Sequence, residues 1–307
     1  MFRIFVAIFL YLTGICLAQN SSLPKDCPTE IRDLDEGYLI YNSTRTARTR
    51  FPGQNWPWYI TAAITDRRGP DLVFGDVDTS QELSVFISVH KTITSSRYSA
   101  GRTDTRVCSS MLKAVNRTSE NPPDVDAPED ITYAEHSCKG VISEKCIREF
   151  ENATYNVTWL SRKCPGLHSL DFSDECREYL WFSQSTPRHF DPPHCSIDKM
   201  PYLDLPKDYM TFGSGLWAGL IGDEDRKDFD MYDLRVQQTI PLLFSSAGTN
   251  RLICIAPDQA VPGSRKPQLE LEGEDEEPEE DENLASRVGG LGPAVFLGVS
   301  ATIFSLL

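Results

Sequence analysis

Gln81-Glu82-Leu83-Ser84-Val85-Phe86-Ile87-Ser88-Val89-His90 is the stretch that decides the fold class. Leu83, Val85, Ile87 and Val89 alternate with Ser84, Phe86, Ser88 and His90, a period of two that fits a β-strand and not a helix. The alternation predicts a half-buried strand. Its aliphatic face points inward, and its mostly polar face, His90 included, points to water.

Outward from this strand the β signal continues. Gly37 to Tyr41 is short and β-prone, and Trp56 to Ile64 is aromatic and branched, so residues 36–93 read as strand-rich. Tyr209 to Ile221 is apolar and spaced by glycines. In Asp233 to Phe244, Leu234 and Val236 alternate with Arg235 and Gln237, which reads as a strand, with Pro241 placing it at an edge or a bulge. Arg251 to Ala256 is apolar on both faces, the mark of a central strand.

Between these strands the period changes. Ile142, Cys146, Ile147 and Phe150 share one helical face behind Ser143, an N-cap residue type. Cys176, Tyr179 and Leu180 share another behind Ser173. Two breaker-rich stretches flank this middle. Residues 121–130 could divide the domain, and Ser185 to Lys207 carries five prolines. The expected fold is α+β: a β-rich, disulfide-stapled extracellular domain over residues 19–258, with short helices in a Cys-rich middle.

Both ends read as addresses. Met1-Phe2-Arg3, an uncharged run from Ile4 to Ile15 and then Cys16-Leu17-Ala18 have the order of a secretory signal peptide over residues 1–18. Residues 284–307 end in an apolar stretch, Ala294 to Leu307, with no Lys or Arg after it. That reads as a GPI-attachment signal with Asn283 as the acceptor; the alternative is a short membrane-spanning anchor. Residues 259–283 read as a disordered acidic spacer, since ten of the thirteen residues from Glu270 to Glu282 are Asp or Glu. The net charge of −15 is therefore largely a property of this run.

Removing residues 1–18 leaves eight cysteines: Cys27, Cys108, Cys138, Cys146, Cys164, Cys176, Cys195 and Cys254. An even count behind a signal peptide predicts four disulfides, whose pairing the sequence leaves open. Asn20, Asn42, Asn116, Asn152 and Asn156 each head a sequon for N-glycosylation. The layout resembles that of fungal cell-surface proteins in general, a likeness that carries no site.

Chemistry is sparse. Ser110 to Lys113 and Ser196 to Lys199 match Ser-x-x-Lys, but neither has a partner motif. No Cys-x-x-Cys occurs, so His136 with Cys138 and His194 with Cys195 make no zinc signature, and no metal or cofactor is expected. Carboxylates are the catalytic raw material: Asp76 and Asp78 between strand signals, and Asp223 and Asp225 after Gly222. A glycosidase needs two such groups facing one bond, whereas runs of this kind are ordinarily solvated turns. Trp56-Pro57-Trp58-Tyr59 could stack on a sugar, or could be core aromatics on a strand.

The expected function is a GPI-anchored surface glycoprotein with a non-enzymatic binding or structural role. The alternative is a surface carbohydrate-active hydrolase using a carboxylate pair. Expected partners are the membrane, through the lipid, and candidate cell-wall or extracellular glycans. Nucleic acid is not expected, since no basic cluster is long enough.

Overall fold

The computed structural model describes residues 23–37, 41–51, 54–69, 78–93, 106–116, 138–153, 164, 166–180, 188–189, 195–198, 200–223, 225–246 and 248–268. Residues 1–18, the 121–130 stretch, Asp76, Asn20, Asn156, Asn283 and the apolar tail lie outside them. Helix α1 (Thr29–Asp35) comes first, then β1 (Ser43–Thr49), β2 (Trp58–Arg68), β3 (Thr79–His90) and β4 (Arg106–Met111). Two short helices follow, α2 (Glu144–Asn152) and α3 (Asp174–Arg177), and then β5 (Arg188–His189) and β6 (Tyr209–Ile221). Helix α4 (Asp230–Gln237) leads into β7 (Ile240–Ser246), β8 (Thr249–Ile255) and β9 (Gln259–Ala260).

The strands form two antiparallel sheets, ordered β6-β3-β2-β1-β9 and β5-β4-β7-β8. Their inner faces share one apolar core. The first sheet contributes Trp58, Ile60, Leu83, Val85, Ile87 and Phe212, and the second contributes Val107, Leu242, Phe244 and Ile253. This is face-to-face sheet packing. Unlike a bare sandwich, both outer faces also carry a partial cover. Ile31 and Leu34 of α1, with Ile197 and Met200, pack on Ala63 and Phe86 of the first sheet. Cys146 and Phe150 of α2, with Leu167, Phe172 and Cys176, pack on Leu112, Leu243 and Leu252 of the second.

That layering corrects the reading of β3. The strand is interior, paired with both β2 and β6. Ser84, Phe86 and Ser88, assigned to a solvated face, are buried. The serines are tolerated because a hydroxyl can bond within the sheet, as Ser88 does to Thr211 at 2.8 Å. The same layering explains β8, which is apolar on both faces yet terminal in its sheet, because α2 covers its outer side. Pro241 proves to lie on the inner strand β7, where the ladder to β4 runs out. Leu112 N–H still donates to the Pro241 carbonyl, and proline has no N–H to return.

The stretch read as a strand from Asp233 begins inside helix α4. Tyr232, Asp233, Val236 and Gln237 are its buried residues, spaced i, i+1, i+4 and i+5, which is one helical face. The short Leu-Arg-Val-Gln alternation fits both periods. Helix α1 carried no comparable signal; it closes at Gly37, whose φ of +74° favours glycine. Ser143 caps α2 as expected, accepting from the Cys146 amide at 3.4 Å. The far end of α2 is closed from β8, where the Asn250 side-chain amide donates to the Phe150 and Ala153 carbonyls at 3.0 and 2.8 Å.

Four disulfides join Cys27 to Cys195, Cys108 to Cys164, Cys138 to Cys254 and Cys146 to Cys176. None crosses the core between the sheets; each holds an outer layer. The fold is thus β-rich, with few short helices, and stapled. Cys138–Cys254 closes 116 residues and Cys146–Cys176 closes 30. Loop entropy makes the longer link worth about 1 kcal/mol more. In urea titrations the Cys138→Ser/Cys254→Ser double variant is expected to lose about 2–5 kcal/mol, and more than Cys146→Ser/Cys176→Ser.

The covered fold runs past residue 258. Gln259 and Ala260 pair with β1, Val261 is buried, and Arg265 and Gln268 bond to Asp233. Residues 259–268, assigned by composition to the spacer, therefore lie against the fold. Among the described residues no helix is long and apolar enough to cross a membrane.

Candidate functional site

The two ends of the first sheet carry different chemistry. At one end lie the carboxylates that the sequence singled out. Asp78 opens β3, and Asp223 and Asp225 follow β6. The β3–β6 pairing brings these acidic segments together: the Gly222 amide donates to the Thr79 carbonyl at 3.1 Å, and the Thr79 hydroxyl donates to the Asp223 carbonyl at 2.8 Å.

Each described candidate is held by the fold. Asp78 is paired with Arg226 at 2.9 Å. Asp225 Oδ1 accepts the Lys227 amide at 2.9 Å, closing a turn on itself. Asp223 is buried, and its Oδ1 accepts the Met231 amide at 3.1 Å, near the start of α4. Burial pushes the Asp223 carboxyl above its ordinary range, against the opposing pull of the Met231 amide.

No local motif marks the arginines at this end. Arg68 bonds Asp66 at 2.6 Å, donates to the Arg226 and Asp228 carbonyls, and lies 3.6 Å from the Phe229 ring centroid. Asp66 also accepts from Gln81 at 2.8 Å. Arg265 grips Asp233 through both of its terminal nitrogens and also lies over Phe229, at 4.3 Å. This end is a polar network: Asp66, Asp78 and Asp233 face arginines, Asp223 and Asp225 each give one oxygen to a backbone amide, and Asp223 Oδ2 is buried without a hydrogen-bond partner among the described residues.

The opposite end is open and aromatic. Trp56 lies in the turn between β1 and β2 and is 45% exposed. Its ring stacks on His90 at 4.2 Å with the planes 7° apart. Tyr209 meets His90 edge-on at 5.4 Å, and Tyr59 meets Tyr209 at 5.1 Å. His90 Nδ1 accepts the Thr92 amide at 3.2 Å, which puts the proton of the neutral ring on Nε2. The Tyr209 hydroxyl donates to the Pro57 carbonyl at 3.0 Å, pinning the turn that carries Trp56.

His90, expected in solvent, is thus a wedge between two rings. The β3–β6 register places it opposite Tyr209, far away in sequence. The aromatic run divides: Trp58 and Tyr59 are buried, while Trp56 is not. Arg48 faces Tyr59 across the β1–β2 ladder, and Arg48 and Arg50 both act on the Tyr209 hydroxyl. Burial dominates that hydroxyl and pushes it up to about 12, so it stays neutral at physiological pH.

Among the sequons, Asn152 is exposed at the end of α2. Asn42 and Asn116 have their side-chain oxygens engaged, by the Asp66 amide and by Gln238, at 2.7 Å each. Between the sheets a cavity of about 20 Å³, lined by Ile64, Leu83, Met111 and Ile240 among others, has room for roughly one water. Among the described residues no three His, Cys, Asp or Glu side chains gather as a metal site. No family model, curated protein or solved structure matches the chain.

Proposed function

We propose that this chain is an extracellular surface glycoprotein, held by a GPI lipid at Asn283, whose role is binding or structural and not catalytic. The observation that carries the non-catalytic half is the state of the carboxylates. Asp78 pairs with Arg226, Asp223 and Asp225 each give Oδ1 to a backbone amide, and among the described residues these carboxylates do not line a cavity of sugar size. A hydrolase needs a carboxyl pair facing an open space wide enough for a sugar and a water.

Four disulfides support the oxidising compartment, because such links persist outside the cytosol. The apolar tail after Gly290 supports the lipid anchor. Treating intact cells with a phosphatidylinositol-specific phospholipase is expected to release the protein into the medium. Retention on cells that release a known lipid-anchored control would refute the anchor. Wall-polysaccharide cleavage by the native protein, lost in both Asp76→Ala and Asp223→Ala, would restore the hydrolase reading.

A further inference from the structure

The open end of the first sheet brings together an exposed indole, two guanidinium groups and a neutral tyrosine hydroxyl. A flat indole is presented to solvent on a rigid base, since His90 backs Trp56 and is itself fixed by Thr92. The platform is preorganised, so little ordering cost remains when something stacks on it. Two exposed guanidinium groups, Arg48 and Arg50, act on the hydroxyl of Tyr209, whose ring meets His90, and no carboxylate is paired to either among the described residues. The nearest tyrosine hydroxyl stays neutral and cannot repel an anion. Lys91 adds a third cation at the rim, in an exposed pair with Asp198 at 3.3 Å.

These properties choose a ligand. The face of an indole fits the C–H face of a pyranose ring, and guanidinium groups fit carboxylates through two parallel hydrogen bonds. A neutral sugar would leave the arginines idle, and a simple anion would leave the indole idle. The cavity described between the sheets, about 20 Å³, is too small for a sugar.

We propose that Trp56, backed by His90, with Arg48 and Arg50, forms a binding site for an acidic oligosaccharide made of uronate sugars. The indole stacks on one sugar ring, and the arginines take carboxylates of that ring and its neighbour. This rests on the binding role proposed above and names its ligand class. Asn42 lies six residues along β1 from Arg48, about 20 Å away at the rise of a strand, so its glycan leaves the platform uncovered. Asn152 lies nearer the Arg50 side, beyond the Arg251–Glu151 pair, so binding is measured with and without N-glycans.

The test is calorimetric titration of the full chain, made in a eukaryotic secretory host and purified in detergent, with tetragalacturonate. Saturable binding is expected, weakened about tenfold or more by Trp56→Ala and by the Arg48→Gln/Arg50→Gln pair, and largely kept by Trp56→Phe. The fully methyl-esterified tetramer, which keeps the rings and loses the charge, is expected to bind at least about tenfold more weakly. Thermal melts of the variants confirm that they are folded.

No saturable binding by the wild type overturns the proposal. So does equal binding by folded Trp56→Ala, or equal binding of ester and acid. Tighter binding of hexaglutamate than of the sugar also overturns it, and would give this face to acidic peptide, the 270–282 run of this chain included. The titration does not depend on how the chain is held at a membrane. Its failure leaves the anchor standing, and loss of the anchor leaves the site standing.

Discussion

Asp66→Ala is expected to cost about 3–5 kcal/mol in chemical denaturation, the typical penalty for stranding one partner of a buried ion pair. The Asp66 and Arg68 side chains are 5% and 16% exposed, so water cannot take over the solvation of the survivor. Asp66 also accepts from Gln81, and the Asp66 backbone amide is held by Asn42, so the carboxylate is the hub of this end of the sheet. In the variant Arg68 keeps two carbonyls and the Phe229 face, but loses its counter-charge. A double-mutant cycle with Arg68→Met separates the pair from its surroundings. The double variant is expected to recover much of the loss, because an apolar replacement removes the unpaired charge as well as the bond. A double variant less stable than Asp66→Ala would show that the arginine is held by the carbonyls and the ring alone.

The second large effect lies where the sequence pattern misleads. Phe86→Ala is expected to lose about 3–5 kcal/mol, although alternation puts Phe86 on the face read as polar. Its ring is fully buried under α1, edge-on to Tyr41 at 5.7 Å. Trp56→Ala removes a larger side chain that is half exposed, and is expected to shift stability by only about 0.5 kcal/mol or a little more. Urea midpoints for the two variants measure the contrast. A small loss at Phe86 would mean that the helical cover contributes little to holding that face.

Strands with clean alternation or apolar runs are legible: β3 follows from its side-chain period, β6 from an apolar, glycine-spaced run, and the first part of β2 from aromatic and branched composition. The Ser143 cap and the helix behind it were legible as well, because capping is local chemistry written within four residues. What was not legible depends on distant chain. No local signal says that α1 will lie over Phe86, so a doubly covered strand and a half-exposed one look alike. The strand-like reading of residues 233–237 failed because four alternating residues satisfy both periods, and Tyr232 decided it only by facing the core.

The candidate site divides in the same way. Asp78, Asp223 and Asp225 were found by residue type, but Arg68, Arg226 and Arg265, which engage or surround these acids, arrive from three separate segments. Trp56 stands out in the sequence as one of three aromatic residues between 56 and 59. Alternation alone puts Trp56 and Trp58 on one face; Trp56 is left outside because β2 begins only at Trp58. His90 and Tyr209 could be joined only by the register of β3 against β6.

Arg265 and Gln268 fasten the departing chain to Asp233, beside the end of β2 at Arg68. The Trp56 platform adjoins the other end of that strand, ten residues back at Trp58, about 33 Å away at the rise of a strand. The last described residues and the indole therefore occupy opposite poles of one sheet, so a load applied through the tail enters the fold at the pole away from the indole.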